Sequence, residues 1–273
     1  MAQTARAVTR FTEAARAHGA SSVRVIATSA ARDAVNRDTL IQAIEQASGL
    51  KVELISGQEE AELVFRGVAT DPKLHGGKLL ILDVGGGSTE FILGGGKHHQ
   101  FCQSFPLGTV RLLEKLRPAD PPSLQDLQNC RAQLKEFVDE QVGPAMDRAL
   151  LAGGASVPAS PTGQRTLPGA SSLVGTGGTT TILARMEKQM TGFDRDEIEG
   201  TIISRERVVY WMEQLWSLSI AQRREIPGVP PKRADIIPMG VAIYEAVMER
   251  FNFAEVFVST RGLRFGALMQ DNE

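Results

Sequence analysis

The chain has 273 residues, enough for two domains of ordinary size, and its 42% hydrophobic and 23% charged content is typical of a soluble globular protein. A formal net charge of −2 argues against a protein that coats nucleic acid, because such proteins are usually basic. The two cysteines lack metal-type spacing and no apolar run reaches transmembrane length, so we expect a cytoplasmic protein that binds neither nucleic acid nor membrane.

The first segment of the chain is predicted to be a surface helix. Residues 2–18 are rich in Ala and Arg, which also fits an organelle transit peptide, but they run straight into a predicted strand at 23–27. We therefore favour a helix of the domain, with its apolar face formed by Val8, Phe11, Ala14 and Ala15. The next predicted elements are a helix at 36–48 stopped by Gly49, a strand at 52–55 and a helix at 58–68.

The rest of the chain alternates strands and helices, which is typical of the α/β class. A strand at 78–84 is apolar throughout, so we expect it to be buried on both faces. Two further strands, at 90–93 and 100–104, form a predicted antiparallel hairpin around the glycines at 94–96. The remaining predictions are helices at 109–116, 123–151, 179–188, 204–217, 234–251 and 262–269, a strand at 255–259, and a polar, breaker-rich insertion at about 152–171.

Two glycine-rich segments, at 85–88 and 175–179, predict a site for phosphate and a divalent cation. Glycines let several backbone N–H groups converge on one point, and the hydroxyl side chains beside them suit phosphate oxygens. Asp83 ends the strand before the first segment, where ligands collect in open α/β sheets, and its carboxylate suits Mg²⁺. Alternatively, Asp83 only accepts hydrogen bonds from the turn amides; both roles stay open, and the glycines that follow favour the ligand role.

The helix predicted after Ser56 gives two neighbouring glutamates, Glu59 and Glu60, different environments. Ser56 and Glu59 match a capping box, in which Glu59 reaches back to the Ser56 amide. Glu62 and Arg66 are spaced as an i,i+4 pair and mark the solvent face. Glu60 lies on the opposite, apolar stripe, so we predict that it points inward, either as an anion stabilised by the helix dipole or as a general base. Glu60 is the candidate base.

Hydroxyl groups and an arginine follow the first predicted strand. Thr28, Ser29 and Arg32 suit phosphate contact, and Arg32 can bind bidentately, although spacing alone slightly favours a surface pair of Arg32 with Asp33. Arg111 has the same two interpretations, as a surface side chain or as a ligand contact.

The histidines show no recognisable catalytic or metal-binding pattern. His98 and His99 lie in the predicted hairpin, where we expect solvated side chains rather than a metal pair. No Ser-His-Asp arrangement and no zinc motif can be assembled from the sequence.

Several motifs occur in an order that strongly resembles one known family. They lie at residues 27–34, 55–61, 83–90, 106–111 and 175–179, and the segments 233–235 and 258–264 extend the match almost to the end. Together they resemble the exopolyphosphatase and guanosine pentaphosphate phosphohydrolase (Ppx/GppA) family over essentially the whole chain.

The resemblance implies an α/β fold of the actin, sugar kinase and Hsp70 type, a ribonuclease H-like pair of domains with phosphates in the cleft between them. It implies hydrolysis, with Mg²⁺ or Mn²⁺, of the terminal phosphoanhydride of polyphosphate or of the 5′ γ-phosphate of guanosine pentaphosphate. By motif position, the catalytic residues are Glu60 and Arg32, and the metal ligands are Asp83 and Glu90. The phosphate-binding residues are Thr28, Ser29, Gly85, Gly86, Gly87, Ser88, Gly175, Thr176, Gly177, Gly178 and Thr179.

The resemblance also predicts how the domains divide. Domain I is expected at 1–78, with 260–273 packing back on it, and domain II at 79–259, with a flexible insertion at about 152–171. The family normally opens with an Asp-x-Gly phosphate motif that precedes the first helix, and its longer members carry a C-terminal helical extension. Since neither is found here, we expect a short, two-domain member that is truncated at its N-terminus. A homodimer is compatible with the family.

Two other functions stay open. The same fold without turnover would be a catalytically impaired regulatory module that binds nucleotide or polyphosphate. A sugar or acetate kinase of this fold would instead transfer phosphate from ATP to an acceptor. The sequence does not choose between polyphosphate and guanosine pentaphosphate as the substrate.

Overall fold

The computed structural model describes residues 1–74, 77–152, 167 and 170–269. By its internal contacts the chain divides into two compact units, Met1–Glu60 and Ala61–Glu273. The domain boundary at residue 78 stays a prediction. The insertion at about 152–171 lies almost wholly outside the described residues, and residues 270–273 lie wholly outside them.

The first unit contains two short parallel strands and the helices that follow and precede them. Strand β1 (Val25–Ala27) pairs with β2 (Val52–Leu54). The helices are α1 (Ala2–Ala17), α2 (Ser29–Arg32) and α3 (Arg37–Ser48), and α4 (Gly57–Val68) begins in this unit and runs into the second. Helix α3 ends where the sequence predicts, because Gly49 takes the left-handed conformation of a C-terminal cap.

Helix α1 buries a face that overlaps the predicted one only in part. Its buried residues are Ala5 and Thr12, whereas Phe11 is 75% exposed. The hydroxyl of Thr9 donates to the carbonyl of Ala47 in α3 over 3.0 Å, which shows the face that α1 turns to its neighbour. The prediction was wrong for Phe11 and Ala14, which are exposed, whereas Val8 and Ala15 are half-buried on the stripe that also carries Ala5 and Thr12.

The second unit is built on a six-stranded mixed sheet. Its strands are β3 (Lys78–Val84), β4 (Thr89–Gly95), β5 (His98–Phe105), β6 (Ala170–Thr176), β7 (Ile202–Ser204) and β8 (Glu255–Val258). The spatial order is β5-β4-β3-β6-β8-β7, with β3, β6 and β8 parallel and the other three antiparallel to their neighbours. The hairpin turn falls at Gly96 and Lys97, so Gly94 and Gly95 belong to β4 rather than to the predicted turn.

Helices cover the sheet of the second unit. They are α5 (Thr109–Leu116), α6 (Leu124–Phe137), α7 (Gly143–Ala152), α8 (Gly177–Glu187), α9 (Arg195–Ile198), α10 (Arg205–Ser217), α11 (Ile220–Arg223), α12 (Ile237–Phe251) and α13 (Leu263–Met269). The single helix predicted at 123–151 is α6 and α7, joined by a π-helical turn at Val138–Val142. None of the helices that the structure describes is long and apolar enough to cross a membrane.

Strand β3 lies at the centre of the sheet and is buried on both faces, as predicted. Leu79 and Ile81 pack with Val64 and Phe65 of α4. The alternate residues of β3, among them Leu80, pack into the larger core on the other face. Because side chains alternate along a strand, Asp83 continues the Leu79 and Ile81 series and lies on the α4 face.

Candidate functional site

Three oxygen-bearing side chains form a row across the ends of three neighbouring strands. Asp83 is in register with Glu90 on antiparallel β4 and with Thr176 on parallel β6. Residues that lie opposite each other on neighbouring strands point to the same face of a sheet, so the three side chains share the α4 face. Glu90 is 2% exposed and Thr176 is fully buried. We call Glu90, Asp83 and Thr176 the oxygen row.

The oxygen row has the properties of a site for a hard cation. Glu90 Oε1 accepts a hydrogen bond from the Ser104 hydroxyl over 2.7 Å, which fixes that carboxylate. The buried hydroxyl of Thr176 has no hydrogen-bond partner among the described residues. Mg²⁺ takes oxygen ligands from carboxylates, so two carboxylates beside an orphaned hydroxyl fit such an ion.

Asp83 is held against the start of α8. Gly177 begins that helix with φ +81°, in the left-handed region that favours glycine. A Cβ added to Gly177 would stand 2.1 Å from Asp83 Oδ1. The absence of a side chain at Gly177 therefore allows the carboxylate and the second glycine segment to meet.

The first glycine segment is a tight turn whose carbonyls face α5. The amide of Gly85 donates to the Ser88 carbonyl over 3.0 Å. The carbonyls of Gly85 and Gly86 accept from the amides of Thr109 and Val110, each over 2.9 Å. These amides belong to the first turn of α5, where no intrahelical acceptor exists, so the loop and the helix satisfy each other.

The turn also carries backbone N–H groups that α5 does not use. The N–H groups of Gly86, Gly87 and Ser88 donate to no acceptor among the residues that the structure describes. Arg111 Nε donates to the Gly87 carbonyl over 2.8 Å, so Arg111 braces the loop from the α5 side. The close approach requires Gly108, where a Cβ would stand 2.4 Å from the Gly86 carbonyl oxygen.

The residues of the second glycine segment have two kinds of role: some present their backbone amides, and others pack against the sheet. Gly177 and Gly178 are the first residues of α8, and their amides lack acceptors within the described ranges. The Thr179 hydroxyl instead donates to the Val84 carbonyl over 3.0 Å, which ties α8 to β3. Gly175 lies within β6 beneath the buried hydroxyl of Tyr244, so it serves packing rather than presenting an amide to a ligand.

Both glycine segments line one cavity of about 130 Å³. Gly85 and Gly86 contribute from the first segment, and Gly178 and Thr179 from the second. The exposed Arg233 lies on the wall of the same cavity. In the sequence, Arg233 is recognisable only as part of a family motif, because nothing in the pattern around it indicates which part of the sheet it reaches.

The first unit holds the predicted base beside an arginine. Glu60 is buried, and its Oε2 lies 3.4 Å from Arg32 Nη1. The same Arg32 nitrogen donates to the carbonyl of Ile55 over 2.8 Å. Arg32 therefore pairs with Glu60, rather than with Asp33 at the surface. Ser29 is buried, and its hydroxyl donates to Asp33 Oδ2 over 3.4 Å.

The environment of Glu60 favours its neutral form. Burial raises the pKa of the Glu60 carboxyl above its usual value, against the opposing charge and hydrogen bond of Arg32 and a hydrogen bond from Thr28. A carboxyl group with a raised pKa is a stronger base once it is deprotonated. Perturbed carboxyl groups of this kind are concentrated at functional sites.

Glu59 lies in a capping box at the start of α4, as the sequence predicts. The Ser56 amide donates to Glu59 Oε2 over 2.7 Å, and the Glu59 amide donates to the Ser56 hydroxyl over 3.1 Å. These bonds lower the pKa of Glu59, which lies in solvent. The capping box therefore leaves Glu60 as the inward-facing glutamate of this pair.

Comparisons with known proteins place the chain in a family. Residues 1–273 match the profile of the Ppx/GppA phosphatase family. The chain is 33% identical over 254 residues to exopolyphosphatase 2 of Mycobacterium tuberculosis, covering 90% of this chain and 72% of the relative. It is 29% identical over 253 residues to guanosine-5'-triphosphate,3'-diphosphate pyrophosphatase of Photobacterium profundum, covering 92% of this chain and 45% of that relative.

The solved structures agree with this family. A crystal structure of an exopolyphosphatase from Cytophaga hutchinsonii matches with a TM-score of 0.80 at 27% identity, covering 98% of this chain and 80% of that one. The match confirms the predicted fold class, an α/β fold of the actin, sugar kinase and Hsp70 type, and the family confirms the predicted enzyme class, a phosphoanhydride hydrolase. By sequence and by fold, the chain belongs to the Ppx/GppA phosphatase family.

Proposed function

We propose that the protein removes the terminal phosphate from inorganic polyphosphate, from the 5′ end of guanosine pentaphosphate, or from both. The observation that carries this proposal is the pair of glycine segments beside the oxygen row, whose amides have no acceptor in the part of the chain that the structure describes. Such amides, together with the start of helix α8, bind phosphate oxygens. The similarity to exopolyphosphatases and to a guanosine pentaphosphate pyrophosphatase supports the choice of substrates.

In this proposal Glu60 is the general base. Its carboxylate takes a proton from a water molecule while that water attacks the terminal phosphorus, and the bond to the leaving phosphate oxygen breaks. Arg32 holds Glu60 Oε2 in place and keeps its pKa from rising further. The amides of Gly86, Gly87, Ser88, Gly177 and Gly178 donate to the oxygens on which charge develops.

The oxygen row supplies the proposed cation site. Asp83 and Glu90 would hold Mg²⁺ or Mn²⁺, with the Thr176 hydroxyl as a further oxygen. When bound, the ion neutralises negative charge on the phosphate chain. Ser104 keeps Glu90 oriented, and Gly177 leaves Asp83 the space it occupies.

The substrate test measures phosphate release from long-chain polyphosphate and from guanosine pentaphosphate, with and without Mg²⁺, together with calorimetric binding of both. We expect release that requires the cation. Binding without release would instead indicate the regulatory module, and ADP formation from ATP with an acceptor would indicate a kinase.

A matched pair of glycine variants tests the role of the amides. Gly178 and Gly192 both have open space where a Cβ would lie, so alanine at either position keeps the fold. Gly178→Ala places a methyl group beside the presented amides, and we expect a raised KM. Gly192→Ala should leave KM unchanged. Equal KM values for both variants would count against phosphate binding at this segment.

A further inference from the structure

A second cluster of metal-binding side chains lies away from the oxygen row. Glu62 on α4 and His99 and Cys102 on β5 place one ligand atom each within 4.8 Å of one another. His99 Nε2 already lies 2.5 Å from Glu62 Oε2. All three residues are half-buried, and both cysteines of the chain are in the thiol form. We call Glu62, His99 and Cys102 the mixed-ligand cluster.

A bulge in β5 creates this arrangement. Ile92 is opposite Cys102 and Gly94 is opposite His99, so the register shifts by one residue between them. In a regular strand, residues three apart point to opposite faces, and the extra residue restores a common face. His99 and Cys102 therefore both reach the face that α4 covers, where Glu62 lies. Sequence spacing cannot reveal this, which is why a solvated histidine pair was expected there.

The surroundings of the cluster suit metal binding. Arg66 Nε donates to Glu62 Oε1 over 3.2 Å, which leaves Oε2 for a metal and fixes the carboxylate. The ring of His99 packs edge-on against Phe65, with centroids 5.4 Å apart, which fixes the imidazole. The prediction that Glu62 marks a solvent face was therefore incomplete, since its second oxygen faces His99.

We propose that the mixed-ligand cluster binds Zn²⁺, with water or an external ligand in a fourth position. Thiolate, imidazole and carboxylate together are a zinc-type donor set, whereas the all-oxygen row suits Mg²⁺. Bond lengths of about 2.0–2.3 Å in tetrahedral zinc hold the ligand atoms roughly 3.5 Å apart. To reach that size, His99 Nε2 and Glu62 Oε2 must separate by about 1 Å from their 2.5 Å contact, and the Cys102 sulfur must come up to about 1 Å closer to them. The Cys102 proton leaves to solvent as the thiolate binds.

The consequence is a metal bridge between α4 and β5. Glu62 lies on the same helix as Glu60, two residues further along the chain. A bound Zn²⁺ would fasten α4 at Glu62 to the edge strand β5. The bridge is independent of catalysis, so its test does not depend on the proposed phosphatase activity.

The test titrates the metal-free full-length protein with Co²⁺ in excess Mg²⁺ and records the absorption spectrum. We expect a thiolate-to-cobalt charge-transfer band that saturates at one equivalent and that Zn²⁺ abolishes. Cys102→Ser should remove the band, and His99→Ala should weaken binding more than about 100-fold. The matched controls Cys130→Ala and His98→Ala should keep the band.

A further variant tests the metal site without replacing a ligand, so that misfolding of the ligand variants does not decide the result. Arg66→Gln touches no metal ligand atom directly and should weaken Co²⁺ binding about 10-fold by freeing the Glu62 carboxylate. Absence of a charge-transfer band in the wild-type protein, or a band that survives both Cys102→Ser and His99→Ala, would overturn the proposal and leave a simple His–Glu hydrogen bond.

Discussion

Gly177→Ala perturbs the point where Asp83 meets helix α8. The left-handed backbone at φ +81° costs an alanine about 1–2 kcal/mol relative to glycine. The new methyl group would also lie 2.1 Å from Asp83 Oδ1, so the carboxylate must move by roughly 1 Å, and a misplacement of that size costs about 100-fold in rate. The variant should therefore lose both stability and activity.

Two assays measure these effects separately. The strain lowers the thermal midpoint by roughly 2–8 °C, since each kcal/mol shifts a unit of this size by about 2–4 °C. Phosphate release at saturating substrate and Mg²⁺ should fall about 100-fold, because the displaced carboxylate belongs to the proposed cation site. Mg²⁺ titration should show a raised concentration for half-maximal activity.

Gly178→Ala is the matched control for the stability effect. It lies one residue along α8, its φ is ordinary and its Cβ would enter open space. We expect no loss of thermal stability for that variant. An unchanged midpoint and rate in Gly177→Ala would contradict this role of Gly177, as would an equal loss of stability in both variants.

Four further predictions concern polar side chains. Because burial raises the pKa of Glu60, its carboxyl group contributes to the free energy of unfolding at pH values below the usual glutamate pKa of 4.5. This contribution to stability is lost as the pH rises through the raised pKa. Glu60→Gln should then be as stable as wild type or more stable at neutral pH, and a lower thermal midpoint there would contradict it. Arg32→Gln should raise the pKa of Glu60 further and move the acid limb of the kcat/KM profile to higher pH. Thr176→Val removes a hydroxyl that has no partner among the described residues, so urea unfolding should show no loss of stability, whereas half-maximal activity should need about 10-fold more Mg²⁺. Tyr244→Phe removes a buried hydroxyl that donates to the Leu82 carbonyl and also contacts the Thr180 hydroxyl, which should cost about 1–3 kcal/mol in urea unfolding; no change would indicate that these two contacts contribute nothing.

Local patterns in the sequence predicted much of the fold and part of the candidate site. The apolar run of β3 predicted a buried central strand, because burial on both faces requires apolar residues at every position. The capping box at Ser56 separated Glu59 from Glu60 through local hydrogen bonds alone. The glycine segments lie at strand ends, as their composition indicates.

Other features depend on contacts between distant residues. Strand β7 and helix α9 are too short to show a period. Arg32 finds its partner 28 residues away at Glu60, so the neighbouring Asp33 was the simpler choice from spacing. Likewise, the packed face of α1 depends on where α3 lies, and its exposed Phe11 shows that hydrophobicity alone does not identify that face.

The most direct test of the account compares phosphate release by Glu60→Gln and Glu59→Gln. The two variants remove the same charge from adjacent positions of α4, one buried beside Arg32 and one in solvent at the helix cap. We expect Glu60→Gln to lower kcat about 10²–10⁴-fold with substrate binding retained. We expect Glu59→Gln to stay near wild type. A near-normal kcat for Glu60→Gln, or an equal loss in both variants, would contradict the assignment of Glu60 as the base.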